Sequence, residues 1–360
     1  MTAARLTVDL DAMARNHARL IADSGSAEVA PVVKADGYGL GVGPVGRRLW
    51  AGGARTFFVA RLSEGQDLRR ELGERDADIL VLDGLSDLAD AAPMAAARLT
   101  PVLNRVREIE AWSAFTGAAR APCALHIDSG MNRVGIDHER SREAATALAL
   151  ARNLDLGFVM SHLSCAAEPD HPRNALQLER FTAARKAFPG VKSSFAASAG
   201  IYLGPDYVGD ITRPGISLFG GGPREVPDPR FAAVATLQAP VMAVRDLAAG
   251  ESAGYGRMFT APRAMKLAIL AIGYADGVLR GSHASGSAHI AGVDCPFAIV
   301  AMDMMGIDVS KAPGIEPGDM AELLGPNRQL DDVAIAAATV PHECLVRLSQ
   351  RAERVYLGEA

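Results

Sequence analysis

Eight short apolar runs alternate with amphipathic stretches between Val29 and Phe219, and this alternation constrains the fold more than any other feature. The runs are AEVAPVVK, TFFVA, ILVLDG, LTPVL, CALHIDSG, LGFVMSH, SSFAAS and GDITRPGISLF. Segments of helical spacing, such as VGPVGRRLW, LSEGQDLRREL, NRVREIEAWSAF, RSREAATALALAR and NALQLERFTAARKAF, lie between most of them. Alternating βα units imply a parallel sheet, and eight of them imply a closed, TIM-like α/β barrel of eight parallel strands. The stretch from Ala199 to Gly209 shows no clear helix, so the last unit departs from the pattern. Ahead of the barrel, Leu10 to Ala22 has helical spacing with Asp9 placed to cap it.

The pattern changes near residue 225. From Phe231 onward the runs are short, β-rich and broken by Gly, Pro and Asp, with helical spacing only around LDDVAIAAATV. The chain therefore divides into an α/β-barrel domain over 1–225 and a mostly β domain over 226–360, and residues 1–9 are candidates to pair with the second domain. The 360 residues carry 37 Lys+Arg and 42 Asp+Glu, a net charge of −5, with no basic run. Nucleic acid and anionic membrane surfaces are therefore excluded as principal partners. The four cysteines, at 123, 165, 295 and 344, lie far apart in sequence, giving neither a metal-ligand spacing nor a disulfide framework. The longest apolar run, LAILAIGYA from Leu267, is too short to span a bilayer, and the first residues are too charged for a signal peptide. A soluble, cytoplasmic protein with reduced thiols is expected.

Active groups of a βα barrel sit where strands end. Lys34 ends VVK and opens the Gly-rich loop ADGYGLGVG; His126 and Asp128 end CALHID, with Arg133 five residues on; His162 ends VMSH, Ser198 ends FAAS, and Arg213 lies in ITRPG. A partly desolvated lysine has a lowered pKa and becomes a nucleophile able to form a Schiff base. The amides of RPGI, with the Ser198 hydroxyl, form a candidate phosphate site at a late barrel strand. Reactive lysine and phosphate site together point to pyridoxal phosphate.

PVVKADGYGLG resembles the lysine motif of the alanine racemases, a fold-type III pyridoxal-phosphate family. IDSGMNRVG, SHLSCAAEPDHP, ITRPGISLFGG, AGYGRMFTAPR, AIGYADG and AMDMMGIDV follow in that family's order, so the resemblance covers essentially the whole chain. It implies that Lys34 carries the cofactor and acts as base on one face of the substrate Cα. Tyr255, supplied by the partner subunit of a homodimer, serves as base on the other face. It further implies that Tyr38, Ser198, Gly215 and Ile216 hold the phosphate, that Arg213 faces the pyridine nitrogen and stays charged, and that His162 supports Arg213. Arg133 would meet the phenolic oxygen and the substrate carboxylate. Met302 and the Asp303 backbone would form the partner's carboxylate site, and Tyr274 would stand at the access to the site. No metal is implied.

The chain departs from that family at four places. His126 stands where a carbamylated lysine is common, Leu40 where a histidine is common in the lysine motif, and IVAMD replaces an RVSMD-type motif. In VPHECL, His342 takes the place of a tyrosine on the cofactor phosphate. The leading expectation is interconversion of L- and D-alanine by a two-base mechanism. A racemase of broader specificity, acting on serine or basic amino acids, is the alternative, with His342 at the access as the feature to watch. A decarboxylase would bring an acid to the ring nitrogen, where this chain has Arg213, and an aldolase would need a metal site. A non-catalytic pyridoxal-phosphate carrier would lack the residues after the barrel. Wall synthesis and D-amino-acid catabolism both stay open as roles. The C-terminal Arg347, Arg351 and Arg354 read as a solvated face or as partners for acids of a second subunit.

Overall fold

The computed structural model describes residues 4–348 and 351–358. The chain forms two compact units: one holds His17–Gly37 and Gly41–Leu218, the other the residues up to Asn16, Tyr38–Leu40 and those from Phe219 onward.

The first unit is an eight-stranded α/β barrel. Strands Thr56–Val59, Asp78–Val81, Thr100–Leu103, Ala121–Asp128, Leu154–Met160 and Lys192–Ser194 pair in parallel in that order. Ile211–Thr212 pairs in parallel with Glu28–Val29, and single parallel bridges, Val32 to Phe58 and Ala197 to Arg213, complete the ring. Most of the strands are apolar because both faces are covered; Thr56–Val59 is buried at every position. Inside, Phe58 meets Phe158 edge-on at 6.0 Å. The surrounding helices bury one stripe each: Leu62–Leu72 turns Gly65, Leu68 and Leu72 inward and ends at Gly73, whose φ of 59° suits a residue without Cβ. Between Ala199 and Gly209 the helix is reduced to the short turns Gly200–Tyr202 and Pro205–Val208.

One expectation is corrected. Lys34 does not end the first barrel strand but opens a turn: the regular strand is Glu28–Val29, and its ladder bonds continue through Ala30, Val32 and Val33, directly up to the lysine. Pro31 supplies no N–H but accepts the Phe58 amide (2.9 Å), and the Val33 amide bonds the Phe58 carbonyl (2.8 Å), so the ladder ends at Val33.

The second unit is β-rich. Ala235–Leu247 pairs with Met320–Leu324 along its first half and with Met265–Leu270 along its second. Through Met305–Asp308, Val293–Val300 and Ser287–Ile290 the pairing returns to Met320–Leu324, a closed circuit of six strands. Arg5–Asp9 adds to the outer edge of Ala235–Leu247, and Glu353–Leu357 adds in parallel to Arg5–Asp9. Asp9 then caps the helix Leu10–Asp23, its carboxylate accepting the Ala12 amide at 2.7 Å. No helix among the described residues is long and apolar enough to cross a membrane.

Candidate active site

Lys34, Arg133, His126, His162, Ser198, Arg213, Gly215 and Ile216 all lie in the barrel unit, at or just beyond the C-terminal ends of its strands. Lys34 begins a left-handed turn: φ is 53° at Ala35, 55° at Asp36, 62° at Gly37 and 57° at Tyr38. For non-glycine residues this conformation costs roughly 1–2 kcal/mol each, so the turn needs bonds that hold it. The Ala35 amide donates to Glu64 Oε1 (2.9 Å), the Val42 amide to Asp36 Oδ1 (2.7 Å), and the Gly37 amide to the Val33 carbonyl (3.0 Å). Burial lowers the Lys34 pKa, Arg133 lowers it further, and Glu64 and Asp83 act against both. A larger share of Lys34 is thereby neutral and nucleophilic than of a solvated lysine.

Arg213 is 3% exposed. Its guanidinium donates to Ser194 Oγ and to the Ser161 carbonyl (2.7 Å), and no carboxylate among the described residues ion-pairs with it. Burial draws its pKa down to about 9, below the range expected for an arginine but still cationic at neutral pH. His162 bonds through its carbonyl to Gln177 Nε2 (2.9 Å). No hydrogen bond joins the His162 ring to Arg213; their relation is one of charge, burial and the Arg213 cation both holding the imidazole well below its ordinary pKa.

Ser198 Oγ accepts the Gly215 amide (3.1 Å) and the Ser217 amide (3.4 Å), which draws the RPGI turn onto the end of FAAS. Ser217 Oγ is buried there without a hydrogen-bond partner.

His126 is held by a residue that sequence reasoning passed over. Asn104 Nδ2 donates to the Leu82 and Val102 carbonyls, both at 2.9 Å, which leaves Asn104 Oδ1 facing His126 Nδ1 at 2.9 Å. Nδ1 must then carry the proton, and Nε2 is an acceptor. Burial first, then the Arg213 charge, lowers the imidazole pKa to about 4, so the group is neutral throughout the physiological range. Gly135, two residues from Arg133, lies against this ring: a Cβ there would sit 3.2 Å from His126 Cγ.

In the second unit Tyr38 is buried and stacks on Phe219 (centroids 4.6 Å apart), with His342 tilted at 5.8 Å; burial raises the Tyr38 pKa. Leu40 is buried, and its carbonyl accepts the Tyr356 hydroxyl at 2.9 Å. Tyr274 and Met302 occupy two loops zipped together by backbone: the Tyr274 and Ala275 amides donate to the Ala301 and Met302 carbonyls, each at 3.0 Å. Arg351 braces the same loops, 2.9 Å from Asp303 and 3.3 Å from buried Asp276. Arg351 is thus an exposed side chain, as a solvated face would have it, that also pairs with two acids of its own chain. Tyr255 is 86% exposed, and Tyr274, Met302 and Met304 are also exposed, whereas Met305 is buried.

Glu64 and Asn104 act on backbone groups of other elements, which motif reading does not reveal. The one available signal for Glu64 was its place three residues into a helix that directly follows a barrel strand, the position that reaches back to cap.

These features define a class: two-domain proteins in which a βα barrel presents a desolvated lysine and a buried cation, followed by a β-rich domain. The alanine racemase N-terminal domain matches residues 8–223, and the alanine racemase C-terminal domain matches residues 234–356. An alanine racemase from Methylobacterium nodulans is 40% identical over 98% of this chain and 96% of its own length. A biosynthetic alanine racemase from Agrobacterium fabrum is 41% identical over 98% of this chain and 93% of its own. Among solved structures, the alanine racemase of Bartonella henselae with covalently bound pyridoxal phosphate superposes with a TM-score of 0.93 at 32% identity, covering 99% of this chain and all of that one. The chain belongs to the alanine racemase family.

Proposed function

We propose that this chain interconverts L- and D-alanine with pyridoxal phosphate held on Lys34. The observation that carries the proposal is the pairing, at one barrel mouth, of a desolvated lysine with a buried arginine that no carboxylate among the described residues neutralises. The residues present fit the cofactor. Ser217 Oγ is an orphaned buried hydroxyl beside Ser198 and the Gly215 amide, at the turn expected to take a phosphate. Ser198, Gly215 and Ile216, with Tyr38 and His342, would hold that phosphate; Arg213 would face the ring nitrogen with His162 near it, and Arg133 would meet the phenolic oxygen and the substrate carboxylate.

When bound, pyridoxal phosphate supplies an electron sink that acidifies the substrate Cα–H. The protein's part is proton movement and positioning. Inverting one carbon requires a proton to leave one face and another to arrive at the opposite face, so two groups are needed. Lys34, partly neutral for the reasons above, takes or returns the proton on one face. Tyr255 of a second subunit serves the other face, and its exposure leaves it available to do so. Met302, the Asp303 backbone and Tyr274 of that subunit would hold the carboxylate and frame the access. Arg213, still cationic at neutral pH, would donate to the ring nitrogen rather than protonate it, which would limit the sink and discourage misplaced protonation.

Lys34→Ala is expected to remove both the visible absorbance of the bound cofactor and the racemisation of L-alanine. A purified variant that racemises at the parent rate without added amine would overturn the assignment.

A further inference from the structure

We infer that Glu64 is a positioning residue for Lys34: its carboxylate ties the left-handed turn that carries the lysine to the end of the neighbouring barrel strand. The inference rests on the reading of Lys34 as the cofactor-bearing residue.

Both oxygens of Glu64 are engaged, and in different elements. Oε1 accepts the Ala35 amide at 2.9 Å, directly after Lys34. Oε2 accepts the Ala60 amide at 2.8 Å and the Arg61 amide at 3.2 Å, at the end of Thr56–Val59. One anion thus joins two βα loops by three backbone donors. Bonds from amides to a carboxylate are charge-assisted, stronger than neutral ones and directional. Ala35 and Asp36 stand in a conformation that their side chains disfavour, so the turn keeps its shape through such bonds.

The same carboxylate acts on Lys34 by charge. The ionisable groups facing the lysine are Arg133 and His162, with Glu64 and Asp83 as the two acids. Arg133 depresses its pKa beyond the effect of burial, and the acids oppose this. Loss of the Glu64 charge alone should therefore depress Lys34 further. Mere loosening of the turn would have the opposite effect, because it would rehydrate the ammonium. The sign of the shift separates the two.

The test uses the full-length protein freed of cofactor and mixed with pyridoxal 5′-phosphate over a pH series. After a fixed short time the mixture is quenched with borohydride, and the fraction of Lys34 labelled is read by mass spectrometry. Glu64→Gln, which keeps the volume and removes the charge, should move the half-maximal pH of labelling down by about one unit. Glu64→Ala, which removes all three bonds, should slow labelling at a fixed pH by about tenfold or more. An unchanged or raised half-maximal pH in Glu64→Gln, with Lys34 still the labelled residue, overturns the role of Glu64 and leaves that of Lys34 standing. Label on another lysine of the parent protein overturns both. If Glu64→Ala does not fold, the direction of the Glu64→Gln shift decides alone.

Discussion

His126 shows how one side chain's chemistry is set by a neighbour's geometry. Its tautomer follows from the two carbonyls that orient Asn104, and its neutrality from burial beside cations. It therefore presents a lone pair, and no charge, near Arg133 and Arg213. Asn104→Asp would place an anion against Nδ1 and favour the imidazolium, raising the His126 pKa from about 4 by about 1–3 units. Titration of the histidine by NMR should show this, and racemisation should gain an acid limb that the parent lacks. An unmoved titration would mean that Asn104 does not control the ring. The barrel-mouth residues themselves were legible in the sequence, because parallel strands buried on both faces read as apolar runs and the first polar residue after each is where the fold opens. Asn104 and Glu64 were not, because their partners are amides and carbonyls, which every residue has. The left-handed turn was hidden for a related reason: only Gly37 within it announces a positive φ.

At the scale of elements, the loops of Tyr274 and Met302 behave as one piece. Gly273 allows it: a Cβ there would lie 2.3 Å from both the Ala301 and the Met302 carbonyl oxygens, closer than any backbone tolerates. Gly273→Ala must push the two loops apart and break the bonds from the Tyr274 and Ala275 amides. Overpacking of this kind costs about 1–3 kcal/mol, to be read from denaturant unfolding. If these loops hold the substrate carboxylate, KM for alanine should rise more than kcat falls. Removal of the Arg351 brace by Arg351→Gln should act in the same direction but more weakly, since the pair with Asp303 is exposed on both sides. A larger effect on kcat than on KM in both variants would place the loops elsewhere in the reaction.

At the scale of the whole molecule, acid should weaken the barrel. His17 and His126, both buried, have pKa values lowered to about 4 from an ordinary 6.5, and His162 is lowered as well. A group that resists protonation when folded gives stability that is complete above the unfolded pKa and lost as pH falls toward the folded one. Unfolding free energy should therefore drop between about pH 6.5 and pH 4, by at most about 1.4 kcal/mol per pH unit for each histidine. Denaturant titrations at pH 7 and pH 5 measure it, and equal values would contradict the burial argument. If the site is shared between the two subunits of a dimer, as proposed, a second prediction follows. Lys34→Ala and Tyr255→Phe subunits, each nearly inactive alone, should recover about a quarter of parental activity when unfolded and reassembled together, because half the dimers are mixed and each mixed dimer has one intact site. No recovery would mean that both bases come from a single chain.

The strand Arg5–Asp9 lies between Ala235–Leu247 and Glu353–Leu357, partners some 230 and 350 residues away along the chain. A ribosome delivers the first of these segments long before the other two. Arg5–Asp9 must wait through synthesis of the entire barrel before Ala235–Leu247 can pair with it, and Glu353–Leu357 can add to Arg5–Asp9 only later still. The barrel can form while the chain is still growing, whereas the β-rich unit, whose strand partners are the most distant in sequence, is completed last. A copy of the gene lacking the codons for the first nine residues should yield a protein whose barrel resists protease and whose C-terminal half is digested. The fragment from Phe231 onward, expressed alone, should recover its fold only when a peptide carrying RLTVD is supplied.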